Sequence, residues 1–328
     1  MEVAFAACQA CLERHSGLVV RREEPLARHT SFGVGGPADL FVEPWTPSAL
    51  AVALRLLRAE GIPHFVIGKG TNLLATDAGV RGAVVSLHPG LSRLEVHGSR
   101  VVATAGASLG RFCHLAANVG LSGAEFTAGI PGTIGGALSM NAGANGGCIG
   151  DLVEAVTVLD ADGVTQTLGR AELHWGYRDS SVARHGLCVV EASFSLTASS
   201  PEAVHERVYD VLQHRCERQP LGARSAGSIF KRPPGDYAGR LLEAAGAKGM
   251  RVGGAEISRK HANFIVNTGS ATATDVLRLI GLAQQTVYDR FGVWLQPEVC
   301  VIGELPEDLA DPAMPACASG PSGAERES

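Results

Sequence analysis

No apolar run in this 328-residue sequence approaches the roughly 20 residues of a bilayer-spanning helix, so a helical membrane protein is excluded. Nor is there a basic block with interleaved aromatics. Lys plus Arg total 28 against 33 for Asp plus Glu, net −5, which argues against a nucleic-acid partner and leaves any anionic ligand to local arginines. The opening MEVAFAACQACLERHSG lacks a basic segment ahead of its short apolar run, so no secretory leader is expected. Of eight cysteines only Cys8 and Cys11 lie close together, with no second pair and no histidines at zinc spacing. No metal site is expected, and scattered reduced thiols suit the cytosol. The composition therefore points to a soluble, cytoplasmic protein without internal repeats.

What the chain does have is glycine in unusual places. Residues 129–147 read GIPGTIGGALSMNAGANGG, with Ile130, Ile134, Leu138 and Met140 at intervals. A segment so rich in glycine is poor core, and one with these apolar residues is a poor linker. Glycine leaves successive N–H groups uncovered and permits positive φ, which suits backbone lying against a flat ring or a phosphate. The alternative is a set of tight turns between buried strands.

The length allows roughly two or three compact units. Ala38, Leu40 and Val42 alternate as in a strand. Thr46-Pro47 starts a helix that carries Leu50, Leu54 and Leu57 to a stop at Gly61. Residues 62–67 read as a buried strand running into Gly68-Lys69-Gly70-Thr71-Asn72-Leu73-Leu74. That loop is neither a dinucleotide fingerprint nor a P-loop. Its glycines, the Thr71 hydroxyl and the Asn72 amide nevertheless offer several donors to a pyrophosphate. Strands are expected at 80–87, 94–96 and 101–105, a helix at 109–119, and a hairpin through Asp162-Gly163. A polar amphipathic helix from Pro201 to about Arg218 bridges to a second unit. There the pattern gives helices at 237–245 and 274–290, the segment 263–267, and a closing strand at 293–302. From Pro306 the composition turns to Pro, Ala, Ser and Gly, as in a disordered tail.

Three polar clusters sit beside glycine or proline: Gly176-Tyr177-Arg178-Asp179-Ser180, residues 225–233 (SAGSIFKRP), and Gln296-Pro297-Glu298. An arginine, a hydroxyl and a carboxylate from these clusters can meet in a cleft between the two units. Each also has a plain alternative, as a surface ion pair, a turn residue or a strand-end salt bridge.

Taken in order, RHTSFGVGGPAD, GKGTNLL, GIPGTIGGALSMNAGA, GYRDS, SAGSIFKRPPGDYAGRLLEAAG, GGAEISRKHANFIVN and LQPEVCVIGE strongly resemble the UDP-N-acetylenolpyruvoylglucosamine reductase family. The likeness covers roughly residues 18–304, in the shorter form of the family without an inserted tyrosine-bearing loop. It implies an α+β protein: a two-lobed, non-Rossmann FAD-binding domain of the vanillyl-alcohol-oxidase type at 18–200, with lobes about 18–81 and 82–200. A substrate-binding α/β domain at 201–304 and a disordered tail at 305–328 would follow. On this resemblance Gly68, Lys69, Gly70, Thr71, Asn72 and Leu73 hold the FAD pyrophosphate. Gly129, Ile130, Gly132, Thr133, Gly135, Gly136, Asn141 and Gly143 pass along the flavin.

The resemblance also implies the chemistry. NADPH reduces the flavin, and hydride from flavin N5 adds to the β-carbon of a UDP-sugar enolpyruvyl ether. Arg178 and Glu298 stabilise the charge that develops at the carboxylate, which requires a protonated or proton-bridged glutamate. Burial near another carboxylate would raise the glutamate pKa in that direction. Ser228 delivers the proton to the α-carbon as general acid. Tyr177, Arg218, Lys231 and Arg232 are implied to bind substrate. Relatives often carry lysine near Arg218 and asparagine at the position of Arg232, so the geometry of both is this chain's own. Two rivals stay open. One is an FAD-dependent sugar or alcohol oxidase, with Cys148 as the nearest flavin tether. The other is a catalytically silent nucleotide-sugar or flavin-binding protein, for which Arg178, Ser228 and Glu298 would have no use.

Overall fold

The computed structural model describes residues 2–306 and 309. Most of the tail expected from residue 305 onward lies outside the described residues.

The first lobe is built on β1 (Leu18–Pro25), β2 (Pro37–Pro44), β3 (His64–Ile67) and β5 (Val80–Ser86), in the order β1-β2-β5-β3. β1 runs antiparallel to β2, whereas β5 lies parallel to both β2 and β3. Helix α2 (Pro47–Ala59) makes the crossover from β2 to β3. Its start is set as the sequence predicts. The Thr46 side chain accepts from the N–H of Ala49 at 3.1 Å, Pro47 occupies the first turn, and Leu50, Leu54 and Leu57 are buried. Each such leucine contributes about 1.5–3 kcal/mol of burial. Helix α1 (Glu2–Glu13) packs on β1 and α2 through Cys8 and Leu12. β5, which begins at Val80, sits inside the first sheet between β2 and β3.

The second lobe is a five-stranded antiparallel sheet. It contains β6 (Leu94–His97), β7 (Arg100–Thr104), β8 (Val153–Leu159), β9 (Thr165–Gly169) and β12 (Cys188–Ser195), ordered β9-β8-β12-β7-β6. The β8–β9 hairpin turns through Asp162-Gly163 as expected, with Gly163 at φ +72°. α3 (Leu109–Asn118) and α4 (Ile134–Ser139) belong to this lobe. A two-residue turn, Tyr177-Arg178, joins the short strands β10 (Trp175–Gly176) and β11 (Asp179–Ser180). One continuous core runs through both lobes, joining Leu40, Val42 and Leu50 to Val101, Phe112 and Phe194.

α5 (Pro201–Arg218) leads to the C-terminal domain. There α6 (Ala238–Ala244) and α7 (Ala273–Phe291) pack with the antiparallel sheet β13 (Arg251–Val252), β14 (Ala255–Ile257) and β15 (Ile265–Asn267). The core of this domain also takes in Phe32, Val34 and Leu74 from the first lobe. Asp77 of that lobe accepts from the N–H groups of Ala273 and Thr274 at 2.8 and 2.9 Å, covering the start of α7. The closing strand is shorter than expected: β16 (Cys300–Ile302) alone is extended in a ladder. It pairs parallel with β4 (Leu73–Ala75), so the end of the chain returns to the first lobe. Among the described residues no helix is long and apolar enough to cross a membrane.

Candidate active site

The β10–β11 turn carries Arg178 at φ +54°, a left-handed conformation that a residue with a β-carbon adopts only under constraint. The constraint comes from the long glycine stretch. Asn141, itself buried and at φ +41°, donates from Nδ2 to the Gly176 carbonyl at 2.8 Å and accepts from the Gly150 N–H at 3.1 Å. On the other side of the turn, the Ser180 hydroxyl donates to the Ser139 carbonyl at 2.9 Å. So fixed, Arg178 donates from Nε to the Glu298 carboxylate.

Glu298 is placed by backbone contacts from two directions. Its N–H donates to the Ile229 carbonyl at 2.6 Å, Phe230 bridges Pro297, and the Lys231 N–H donates to the Gln296 carbonyl at 2.8 Å. The Glu298 carbonyl in turn accepts from Asn72 Nδ2 at 3.1 Å. Ser228, half-buried, directly precedes Ile229 and bridges Phe264 on its other side. The buried Asn263 secures this segment by accepting from the Phe230 N–H and donating to the Phe230 carbonyl, at 3.0 and 2.9 Å. The Ser228 and Glu298 segments thus stand on adjoining backbone, and Arg178, from a third part of the chain, reaches Glu298 through its side chain. Burial holds the Glu298 carboxyl above its ordinary pKa, while Arg178 and then Lys231 pull it back down in part. The expected second carboxylate is absent from these causes: the charged neighbours are cations, and desolvation alone does the raising.

The two predicted cofactor loops meet. A Cβ on Gly68 would stand 2.2 Å from Thr133 Oγ1, and Thr71 Oγ1 donates to the Pro131 carbonyl at 3.1 Å. Gly70 has φ +60°, and a Cβ there would lie 2.1 Å from the His29 carbonyl. Among the described residues, no group accepts a hydrogen bond from the backbone N–H of Lys69, Gly70, Thr71 or Asn72. This donor row fits a pyrophosphate. The side-chain amides of Asn72 and Asn141, in contrast, each donate to a protein carbonyl, those of Glu298 and Gly176.

Of the remaining predicted residues, Tyr177 accepts through its hydroxyl from the Arg232 N–H at 3.1 Å, and Arg232 lies 4.1 Å over the Tyr237 ring. Lys231 is half-buried beside Glu298. Arg218 is exposed on the last turn of α5, and no hydrogen bond or ion pair joins it to this set among the described residues. One turn earlier, Arg215 escaped the sequence reading. Its Nε is buried without a hydrogen-bond partner and lies 3.2 Å from where a Gly129 Cβ would be, and burial lowers its pKa. A half-buried guanidinium with an unpartnered Nε beside Gly129 is a ready counter-charge for an anionic group. The spacing of three to Arg218 was the available signal, since it puts both arginines on one helix face. Tyr237 and Asn263 were also missed, although both lie within the ordered motifs.

Cys148, the tether of the oxidase alternative, donates its thiol to Asp151 Oδ2 at 3.1 Å, and burial raises its pKa. A thiol kept protonated is a weak nucleophile.

Residues 38–169 match the model of an FAD binding domain, and residues 219–302 that of the UDP-N-acetylenolpyruvoylglucosamine reductase, C-terminal domain. The α+β class and the order of the two domains are therefore as the sequence led us to expect. The UDP-N-acetylenolpyruvoylglucosamine reductase of Moorella thermoacetica is 47% identical over 287 residues, covering 88% of this chain and 94% of the relative. That of Caldanaerobacter subterraneus is 46% identical over 281 residues, with 86% and 93% covered. The crystal structure of the Thermus caldophilus enzyme matches with a TM-score of 0.76 at 37% identity, over 87% of this chain and all of that one. At this identity over nearly the whole length, the chain belongs to the UDP-N-acetylenolpyruvoylglucosamine reductase family.

Proposed function

We propose that the protein is an NADPH-dependent FAD enzyme that reduces UDP-N-acetylglucosamine enolpyruvate to UDP-N-acetylmuramate in peptidoglycan precursor synthesis. The observation that carries this reading is the Arg178–Glu298 pair set against the Ser228 segment. When bound, FAD takes electrons from NADPH and supplies hydride to the β-carbon of the enol ether. Arg178 offers a planar cation to the substrate carboxylate, where negative charge gathers as hydride arrives. Glu298, held toward its neutral form by burial, shares a proton with that carboxylate without adding a competing charge. Ser228 gives its hydroxyl proton to the α-carbon, which completes the lactyl ether, and recovers a proton from solvent or a neighbouring group.

The Lys69–Asn72 N–H row and the glycines from Gly129 to Gly143 suit the pyrophosphate and the ring of FAD, with Arg215 as counter-charge. Tyr177, Lys231, Arg232 and Arg218 suit the UDP moiety. The 18–200 and 201–304 division is part of the reading. So are the cytoplasmic location and the lack of a nucleic-acid partner. An anaerobic absorbance titration tests the whole. NADPH should bleach the flavin band, and the enolpyruvyl sugar should restore it stoichiometrically. Recovery only on admitting air would favour the oxidase instead.

A further inference from the structure

We propose that Asn72 and Asn141, one in each glycine loop, are positioning residues that align Glu298 and Arg178. The inference rests on the roles just given to that pair. Asn72 holds the catalytic strand at two points: Nδ2 donates to the Glu298 carbonyl at 3.1 Å, and its own carbonyl accepts from the Cys300 N–H at 2.9 Å. Glu298 is thereby clamped between the Asn72 loop and the Ile229 carbonyl, which fixes the direction from which its carboxyl reaches Arg178. Asn141 does the same for the partner. Its bond to the Gly176 carbonyl fixes the strand that opens the Tyr177-Arg178 turn, while its acceptor anchors it to Gly150. Arg178 sits at φ +54°, where a residue with a β-carbon persists only when its surroundings over-determine it. Each of the two glycine loops therefore turns a side-chain amide toward the backbone that carries one member of the ion pair. Seating the cofactor and aligning the pair are functions of the same two segments.

The two half-reactions separate this role from a direct part in cofactor binding, since reduction of the flavin by NADPH does not need the ion pair. Asn72→Asp removes the donor without changing shape, and Asn141→Gly removes the amide while keeping the positive φ. With FAD supplied in excess, so that any loss of affinity for it does not enter, both proteins should still bleach with NADPH, slowed by less than the reoxidation step that follows. Reoxidation by the enolpyruvyl sugar should slow about ten- to hundredfold, the scale of a small misplacement of catalytic groups. The Asn72→Asp change would also bring a negative charge toward Glu298, which Arg178 and Lys231 otherwise face. The pH at which reoxidation declines should therefore rise, a displacement that a merely loosened structure would not produce. Should Asn141→Gly fail to fold, Asn141→Asp keeps the acceptor for Gly150 and loses only the donor to Gly176. Unchanged reoxidation, or loss of FAD with equal slowing of both half-reactions, overturns the proposal. Glu298→Gln in the same assay decides between levels: if it reoxidises normally, the role given to Glu298 has failed as well.

Discussion

Arg178 and Glu298 stand 120 residues apart in the chain, yet their side chains form an ion pair only 21% and 10% exposed, the arginine from the second lobe and the glutamate from the C-terminal domain. The pair sets a pH dependence whose sign follows from burial. Desolvation raises the Glu298 pKa above the ordinary carboxyl value against the pull of Arg178 and Lys231. The neutral form therefore persists to higher pH than in an exposed glutamate, and reoxidation should fall as pH rises through the raised value. Glu298→Gln, neutral at every pH, should be slower and should lack this limb. Linkage gives a second reading. The folded protein retains this proton more tightly than the unfolded chain, so the group's contribution to stability is complete below the unfolded pKa and lost as pH rises through the folded one. Thermal melts should show wild type losing stability relative to Glu298→Gln across that interval. Parallel melting curves would remove the raised pKa.

Ser228 provides the sharpest test of the chemistry. Ser228→Ala should bind FAD, since none of the contacts between the cofactor loops involves this side chain. It should bleach with NADPH at the normal rate. Recovery of the flavin band on adding enolpyruvyl sugar should be slower by about 10²–10⁴-fold, the usual range for a general acid. Stopped-flow absorbance separates the two phases, and normal recovery would remove Ser228 from the mechanism.

Gly70 is the glycine whose replacement should be most damaging in the first loop. Its φ of +60° disfavours a β-carbon, and that carbon would overlap the backbone carbonyl of His29, which no rotamer change can relieve. Strain of this kind costs about 1–3 kcal/mol before the overlap is counted. Gly70→Ala should lower the melting temperature by several degrees and reduce FAD per polypeptide after gel filtration. Gly227→Ala is the comparison. It shares a positive φ of +78° but would meet nothing within 4 Å, so it should retain FAD.

Elements set by local chemistry were legible in the sequence. α5 begins at Pro201 and ends at Arg218 as expected, because Ser200 accepts from the Ala203 N–H and proline fits the first turn. The stop at Gly120, φ +69°, has the same local origin. Nothing local, in contrast, marks which sheet Val80–Ser86 will join, because its parallel partners lie some distance back in the chain. The residues of the site were legible through the order of motifs, while their contacts were not. The Asn72 amide looks equally suited to phosphate or to a carbonyl, and only the return of Glu298 to this loop chooses the carbonyl. Likewise, the cause of the raised Glu298 pKa depends on which charges the fold places beside it.

Arg215 offers a prediction in which two stabilities move in opposite directions. Its Nε is buried without a partner, and burial lowers its pKa. Without an anion the charge is a liability, and with one it becomes an attraction strengthened by the same exclusion of water. Arg215→Met keeps much of the side-chain length and removes the charge. The apoprotein of this variant should melt above the wild-type apoprotein. Added FAD should then raise its melting temperature less than in wild type, because the anionic cofactor has lost a counter-charge. A tenfold weaker affinity would correspond to about 1.4 kcal/mol of lost ligand stabilisation at saturating FAD. Melting curves with and without FAD measure both effects on one protein. If instead the apoprotein is weakened and the gain on adding FAD is unchanged, the arginine serves through its aliphatic stem, packed against Gly129, and not through its charge.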